Sequence, residues 1–303
     1  TPRFKMEQIQ LDKKTRKALQ ECITLVKKQP LIYDTWGFRQ IDSVPKTIIN
    51  FYGKPGTGKT MSAHIIADEL KKKIILSNYA DIESKYVGDA PKNLVATFDL
   101  AQKHDAILFF DEADSFLGKR ITNVSHSADQ AINSLRSELL KLLEERAVIV
   151  IFATNLLENY DKAFHSRILR SIEFVLPNAK QRKKIIQKTI PTKLYEQGVQ
   201  FDDTQLDILA SLSEGFAGRE IKNAVLNALI SVANKSESQG AKNVDSEKEH
   251  EILPTFKDFK KAFTSFKRGF EVSHADEIRN KNVGSKIHKN LANKNYKVIK
   301  EKK

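Results

Sequence analysis

Eight residues, Gly53-Lys54-Pro55-Gly56-Thr57-Gly58-Lys59-Thr60, have the types and spacing needed to hold a polyphosphate. The pattern is G-x-x-x-x-G-K-T, a phosphate-binding loop. Backbone N–H groups must converge on the anion, and glycines let the chain turn that tightly without a Cβ clash. Met61 opens a run that reads as a helix, whose positive end would face the same anion. Lys59 supplies a point charge for the β- and γ-phosphates, and the Thr60 hydroxyl is a ligand for Mg²⁺. The expected cofactors are therefore ATP and Mg²⁺. Their contact set is Gly53, Pro55, Gly56, Thr57, Gly58, Lys59, Thr60 and Met61.

Two further groups fit the same chemistry. The apolar run Ala106-Ile107-Leu108-Phe109-Phe110 ends in Asp111-Glu112-Ala113-Asp114. Carboxylates at the C-terminal end of a buried parallel strand stand where ligands bind in open α/β sheets. Asp111 would hold Mg²⁺ through water, and Glu112 would orient and polarise the attacking water. A second run, Ala147 to Ala153, closes on Thr154-Asn155. The Asn155 amide can hold the lytic water and sense the γ-phosphate, or it can simply turn the chain.

Positioning these groups requires strands alternating with helices. Strands are expected at 47–52, 73–77, 106–110, 147–153 and 172–176. Continuous apolar runs mark strands buried on both faces. Helices are expected at 13–28, where Leu19, Ile23 and Val26 recur at helical spacing, and at 61–72 and 91–103. A longer helix, 125–146, should bury Ala128, Ala131, Ile132, Leu135, Leu139, Leu142 and Leu143. The aromatic stretch 31–38 could wall an adenine pocket or pack as a lid over the sheet, the second being favoured. From 178 onward the pattern is helical: 179–190, 203–212, 218–233 and 255–266, with a polar loop at 236–251. The fold class is α/β, a P-loop NTPase doubly wound parallel sheet followed by a small all-α lid domain. Expected boundaries are 1–177 for the large domain with its helical lead-in, 178–271 for the lid and 272–303 for a tail. No separate N-terminal domain is expected, because the phosphate-binding motif arrives early.

Composition narrows the class. The chain has 303 residues, 40% hydrophobic and 29% charged, ordinary for a soluble protein. No apolar run reaches about 18 residues, so no membrane span is expected. No secretory signal is seen. Cys22 is the single cysteine, which suits a reducing, cytoplasmic setting. The histidines lack metal-ligand spacing, so no zinc is expected. The net charge is +13, and residues 279–303 contribute +8 of it. The excess therefore belongs to a solvated tail or an anion contact, and not to the body of the protein.

The order of motifs resembles the AAA+ ATPases, in the clade of protein unfoldases and remodellers. The phosphate loop, Asp-Glu-Ala-Asp after a strand, and Ala-Thr-Asn after the next strand carry the resemblance over roughly residues 6–270. It implies several roles. Asp161-Lys162-Ala163-Phe164-His165-Ser166-Arg167-Ile168-Leu169-Arg170 is similar to the family's second region of homology. There, Arg167 and Arg170 would reach a neighbouring subunit's ATP. The usual Arg-Pro-Gly-Arg-Phe-Asp wording is absent here. Ser84-Lys85-Tyr86-Val87-Gly88 resembles a pore loop, in which Lys85, Tyr86 and Val87 would grip a polypeptide; Tyr86 could instead pack on its own domain. Gly215-Phe216-Ala217-Gly218-Arg219-Glu220 resembles the turn into the sensor-2 helix, so Arg219 would reach the γ-phosphate or pair with a nearby acid.

The resemblance further implies a homo-oligomer, a hexameric ring. Its protein substrate would be a dedicated partner or an adaptor-presented polypeptide. The lid turn and the Asp-x-Ala-Phe-x-x-Arg stretch are similar to pachytene-checkpoint ATPases, which act on HORMA-domain proteins. The competing expectation is a nucleic-acid motor or loader that uses the basic tail.

Overall fold

A computed structural model describes residues 1–83, 89–118, 127–155, 161–240 and 253–272. In chain order come α1 (Lys13–Lys27), β1 (Thr47–Gly53), α2 (Lys59–Glu69), β2 (Lys73–Ser77), α3 (Tyr79–Ile82) and α4 (Asp89–Lys103). Then follow β3 (Ala106–Phe110), α5 (Asp114–Leu117), α6 (Ser127–Glu145), β4 (Ile149–Thr154), α7 (Lys162–His165) and β5 (Arg170–Phe174). The chain ends with α8 (Ala179–Thr189), α9 (Thr192–Glu196), α10 (Asp203–Leu212), α11 (Gly218–Gly240) and α12 (256–272).

Among the described residues the strands form one parallel sheet in the order β2-β3-β4-β1-β5. Alternate residues of a strand face opposite sides of the sheet, and here both sides are covered. On one face Ile48, Leu108, Phe110, Val150 and Phe152 pack with Leu94 and Phe98 of α4 and with Leu135 and Leu139 of α6. On the other, Ile49, Phe51, Phe109 and Ile151 pack with Leu19, Ile23 and Val26 of α1 and with Ala63 and Ile66 of α2. Two-sided burial is why the central strands β3 and β4 read as unbroken apolar runs.

Several boundaries differ from expectation. The helix after the phosphate loop starts at Lys59, two residues early, because Gly58 at φ 104° supplies the turn that admits it. It ends at Glu69, and Lys71 then turns left-handed at φ 56°. β5 starts at Arg170, so that arginine lies within the edge strand and not ahead of it. Residues 236–240 continue α11 as helix where a loop was expected. Ala131 of α6 is exposed, outside its buried stripe. Residues 31–40 form two short helical turns in which Tyr33 and Phe38 meet edge to face. Trp36 is 71% exposed, so the expected lid packing is not made by that ring.

The chain divides into two compact units. The first holds residues 1–188 and 215–220, the second residues 189–214 and the described residues from 221 onward. The boundary expected at 178 falls inside the first unit, which keeps α8: Arg182 donates to the Pro177 carbonyl at 2.9 Å, and Lys188 donates to the Glu7 carbonyl. In the second unit Leu206, Leu209, Ile221, Val225, Phe259 and Phe263 are buried, and Phe201 meets Phe259 edge-on with centroids 5.0 Å apart. No helix among the described residues is long and apolar enough to cross a membrane.

Candidate active site

Strand order builds the site. β4 lies between β1, which leads into the phosphate loop, and β3, which ends in the acidic motif. The residue that follows β4, Asn155, is therefore flanked by both. Gly53 closes β1 at φ 136°, and a Cβ there would lie 2.2 Å from the Phe174 carbonyl oxygen. Only glycine fits this close approach of two parallel strands. Gly56 and Gly58 also have positive φ, 73° and 104°. A Cβ on Gly56 would lie 2.9 Å from Cβ of Arg219, and one on Gly58 would lie 2.9 Å from Cδ1 of Ile9. Thr57 is buried and its hydroxyl donates to the Lys54 carbonyl at 2.7 Å, which fixes the loop's curl. Pro55 is exposed at the loop's crest, and Met61 is half-buried on the first turn of α2.

Lys59 is buried. Its ammonium donates to the Gly53 carbonyl at 2.6 Å, the Lys54 carbonyl at 3.1 Å and the Asn155 Oδ1 at 2.9 Å. An ammonium has three N–H donors, so each is engaged. Burial pushes its pKa down, Asp111 and Asp114 push it up, and Arg219 pushes it down again. Because the ammonium has no acceptor, Asn155 must turn its amide oxygen to Lys59. Its NH₂ is thereby left as the donor for an anion or a water.

The Thr60 hydroxyl donates to Asp111 Oδ2 at 3.0 Å, and Asp111 Oδ1 accepts the Glu112 backbone N–H at 3.0 Å. These are hard oxygen donors of the kind Mg²⁺ takes beside a nucleotide's phosphates. Glu112 is exposed and sits at φ 50°, a left-handed conformation that strains any side chain with a Cβ. That turn carries the chain from the end of β3 across the end of β4, where the Ala113 N–H donates to the Ala153 carbonyl at 2.8 Å. Arg219 is exposed and makes no ion pair among the described residues. It stands over Gly56 at the start of α11, whose first turn is closed by Glu220 accepting the Ala217 N–H at 2.9 Å.

The two remaining arginines lie apart from this group. Arg170 pairs in register with Ile49, four residues before Gly53, or about 13 Å back along the strand. Its guanidinium meets Glu21 of α1 at 3.4 Å. Arg167 donates to the Ala163 carbonyl at 2.7 Å and pairs with Glu144 of α6, and its Nε is buried without a partner. Lys85, Tyr86 and Val87 lie outside the described residues. Sequence reading missed Ile9, an isolated apolar residue in an irregular lead-in, and gave Asp114 no role of its own.

The model of the AAA family, "ATPase family associated with various cellular activities", matches residues 49–176. A putative 26S proteasome regulatory subunit homologue of Methanothermobacter thermautotrophicus is 33% identical over 67% of this chain and 54% of its own length. Fidgetin-like protein 1 of Drosophila melanogaster is 36% identical over 61% of this chain and 35% of its own. The ATP-dependent zinc metalloprotease FtsH of Lachnoclostridium phytofermentans is 34% identical over 70% of this chain and 36% of its own. The chain thus spans about half the length of the first of these curated relatives, and less of the others. The crystal structure of the FIGL-1 AAA domain superposes with a TM-score of 0.67 at 23% identity, over 87% of this chain and 83% of that one. Parallel sheet, phosphate loop and matched segment coincide, and through them residues 49–176 match the AAA ATPase family.

Proposed function

We propose that this chain hydrolyses ATP as part of a homo-oligomeric ring, and that it uses the cycle to remodel a protein partner. The observation that carries this reading is the convergence of Lys59, Thr60, Asp111 and Asn155 at the C-terminal ends of three parallel strands. The Lys59 ammonium donates to the Gly53 and Lys54 carbonyls of the loop itself, so it is already directed into the cradle. On binding, Lys59 exchanges those carbonyls for the β- and γ-phosphates, while loop N–H groups and the start of α2 hold the anion. Thr60 and Asp111 would hold Mg²⁺, which would supply charge neutralisation on the phosphates. Glu112 orients and polarises the attacking water, and the Asn155 NH₂ keeps that water in line. Arg219 adds a cation from the turn at 215–220.

Assembly follows from the arginines. Arg170, with Arg167 three residues before it, stands far from the chain's own phosphate loop, so these side chains would complete a neighbour's site. A hexamer is the closed form we propose, with Lys85, Tyr86 and Val87 gripping a polypeptide in its channel. A HORMA-domain client is a narrower proposal that rests on short motifs alone. Cytoplasmic placement rests on cysteine usage.

Glu112→Gln should keep ATP affinity within about threefold and lose turnover about a hundredfold or more. Turnover near the parental rate would remove Glu112 from the mechanism. ATPase stimulated by an unfolded polypeptide and lost in Tyr86→Ala would support a protein client. Stimulation by DNA that survives Tyr86→Ala would support a nucleic-acid loader instead.

A further inference from the structure

Asn155 stands one residue beyond β4 and is exposed. A side chain at a strand end is not aimed by the sheet, so something else must fix it. The residues that do so come from the acidic motif. The Asp114 carboxylate uses both oxygens: Oδ1 accepts the hydroxyl of Thr154, and Oδ2 accepts the backbone N–H of Asn155 at 3.4 Å. With the Ala113–Ala153 bond, residues 113 and 114 grip three successive residues at the end of β4. Thr154 is buried. The left-handed turn at Glu112 is what delivers Asp114 to this place.

We propose that Asp114 is a positioning residue for ATP hydrolysis: its carboxylate fork sets the backbone of Asn155, so that the amide oxygen meets Lys59 and the NH₂ faces the reacting end of the nucleotide. This rests on the reading of Asn155 given above. An ionised carboxylate suits the role because it accepts twice and donates nothing, and charge-assisted bonds hold geometry better than neutral ones. A carboxamide in its place has one acceptor oxygen: given to the Asn155 N–H, it leaves an NH₂ that must use the Thr154 hydroxyl as acceptor, so that hydroxyl loses its own acceptor and both bonds lose their charge assistance. Glu112 and Asp114 are then one device with two outputs. The same turn presents the residue that activates water and anchors the residue that holds it.

The test compares Asn155→Ala, Asp114→Asn, Thr154→Ala, Thr154→Ser and the Asp114→Asn/Thr154→Ala pair. Measurements are kcat, KM, equilibrium affinity for a fluorescent ATP analogue, and melting temperature. Asp114→Asn should lower kcat about ten- to a hundredfold, the scale of a small misplacement of a reacting group, with nucleotide affinity within about threefold. Thr154→Ala should show the same split, and Thr154→Ser, which keeps the hydroxyl, should recover most of that loss. The pair should be no worse than its more impaired member, because both changes cut one fork. The proposal is overturned if Asn155→Ala is impaired while Asp114→Asn turns over at nearly the parental rate. It is also overturned if affinity, rate and melting temperature fall together and Thr154→Ser recovers nothing, since that describes a structural role. Parental turnover in Asn155→Ala would instead refute the role of Asn155 itself, and the proposal with it.

Discussion

Glu112 holds a backbone conformation that its side chain resists. Its φ of 50° costs roughly 1 kcal/mol for a residue with a Cβ, and its side chain is exposed. Strain of this kind persists when the surroundings fix it, and here the Asp111–Glu112, Ala113–Ala153 and Asp114–Asn155 bonds do so. Asparagine tolerates left-handed backbone better than glutamate. Glu112→Asn should therefore melt higher, by about 0.5–1 kcal/mol of stability, while losing ATP turnover. Thermal denaturation beside a turnover assay checks both; an unchanged or lower melting point would mean that the turn stores no strain. The signature Asp-Glu was readable from residue types. The strain was not, because it depends on how the ends of β3 and β4 meet.

At the scale of elements, apolar patterning located the sheet well. β3 occupies its expected span and β1 gains one residue, because two-sided burial leaves an unbroken apolar signal, while the edge strand β2, only partly buried, keeps its expected span through the run Ile74-Ile75-Leu76. Ends were less legible. β5 begins early because Arg170 and Ser171 join β1 through backbone bonds to which side-chain type is indifferent. In the second unit the start of α12 is closed by the Asp258 side chain reaching back to Thr255. The Asp258 carboxylate accepts the Thr255 N–H at 3.0 Å and the Thr255 hydroxyl at 2.7 Å, and its other oxygen takes Lys235 of α11 at 2.6 Å. Burial alone would raise the Asp258 pKa, but the Lys235 and Thr255 bonds outweigh it and hold it at about 2. A carboxylate depressed in the folded state stabilises above its unfolded pKa. That contribution is full at neutral pH and fades as pH falls from about 4 through 2. Asp258→Asn should cost about 1–2 kcal/mol at pH 7 and flatten the loss of stability between pH 4 and 2. Melting curves across that range measure it, and an unaltered acid profile would refute the role of the pair.

For the whole molecule, the decisive fact is that the finger candidates and the phosphate loop belong to opposite ends of the sheet. Arg167 rests on Glu144 and Arg170 on Glu21, so a lone chain parks both on its own helices. If they act across a subunit boundary, Arg167→Ala should bind ATP and fail to cut it, whereas Lys59→Ala should fail to bind. Mixing the two should restore part of the activity, since the second supplies intact fingers to the first. Absence of rescue at every mixing ratio would exclude action in trans by Arg167.

Residue identity and periodicity alone determined the spacing of the phosphate loop and the alternation of strands and helices, and they pointed to Thr60 and Asp111 as a candidate metal pair and to the AAA family. These signals are local: a motif needs only neighbours in sequence, and a buried strand only its own run of apolar side chains. Tertiary structure decided what lies between motifs. It set Asn155 against Lys59, Asp114 under Asn155, Ile9 against Gly58, and Arg167 on Glu144. Each of these contacts joins residues that chain order separates and strand order brings together, and strand order is settled by the packing of both faces of the sheet at once.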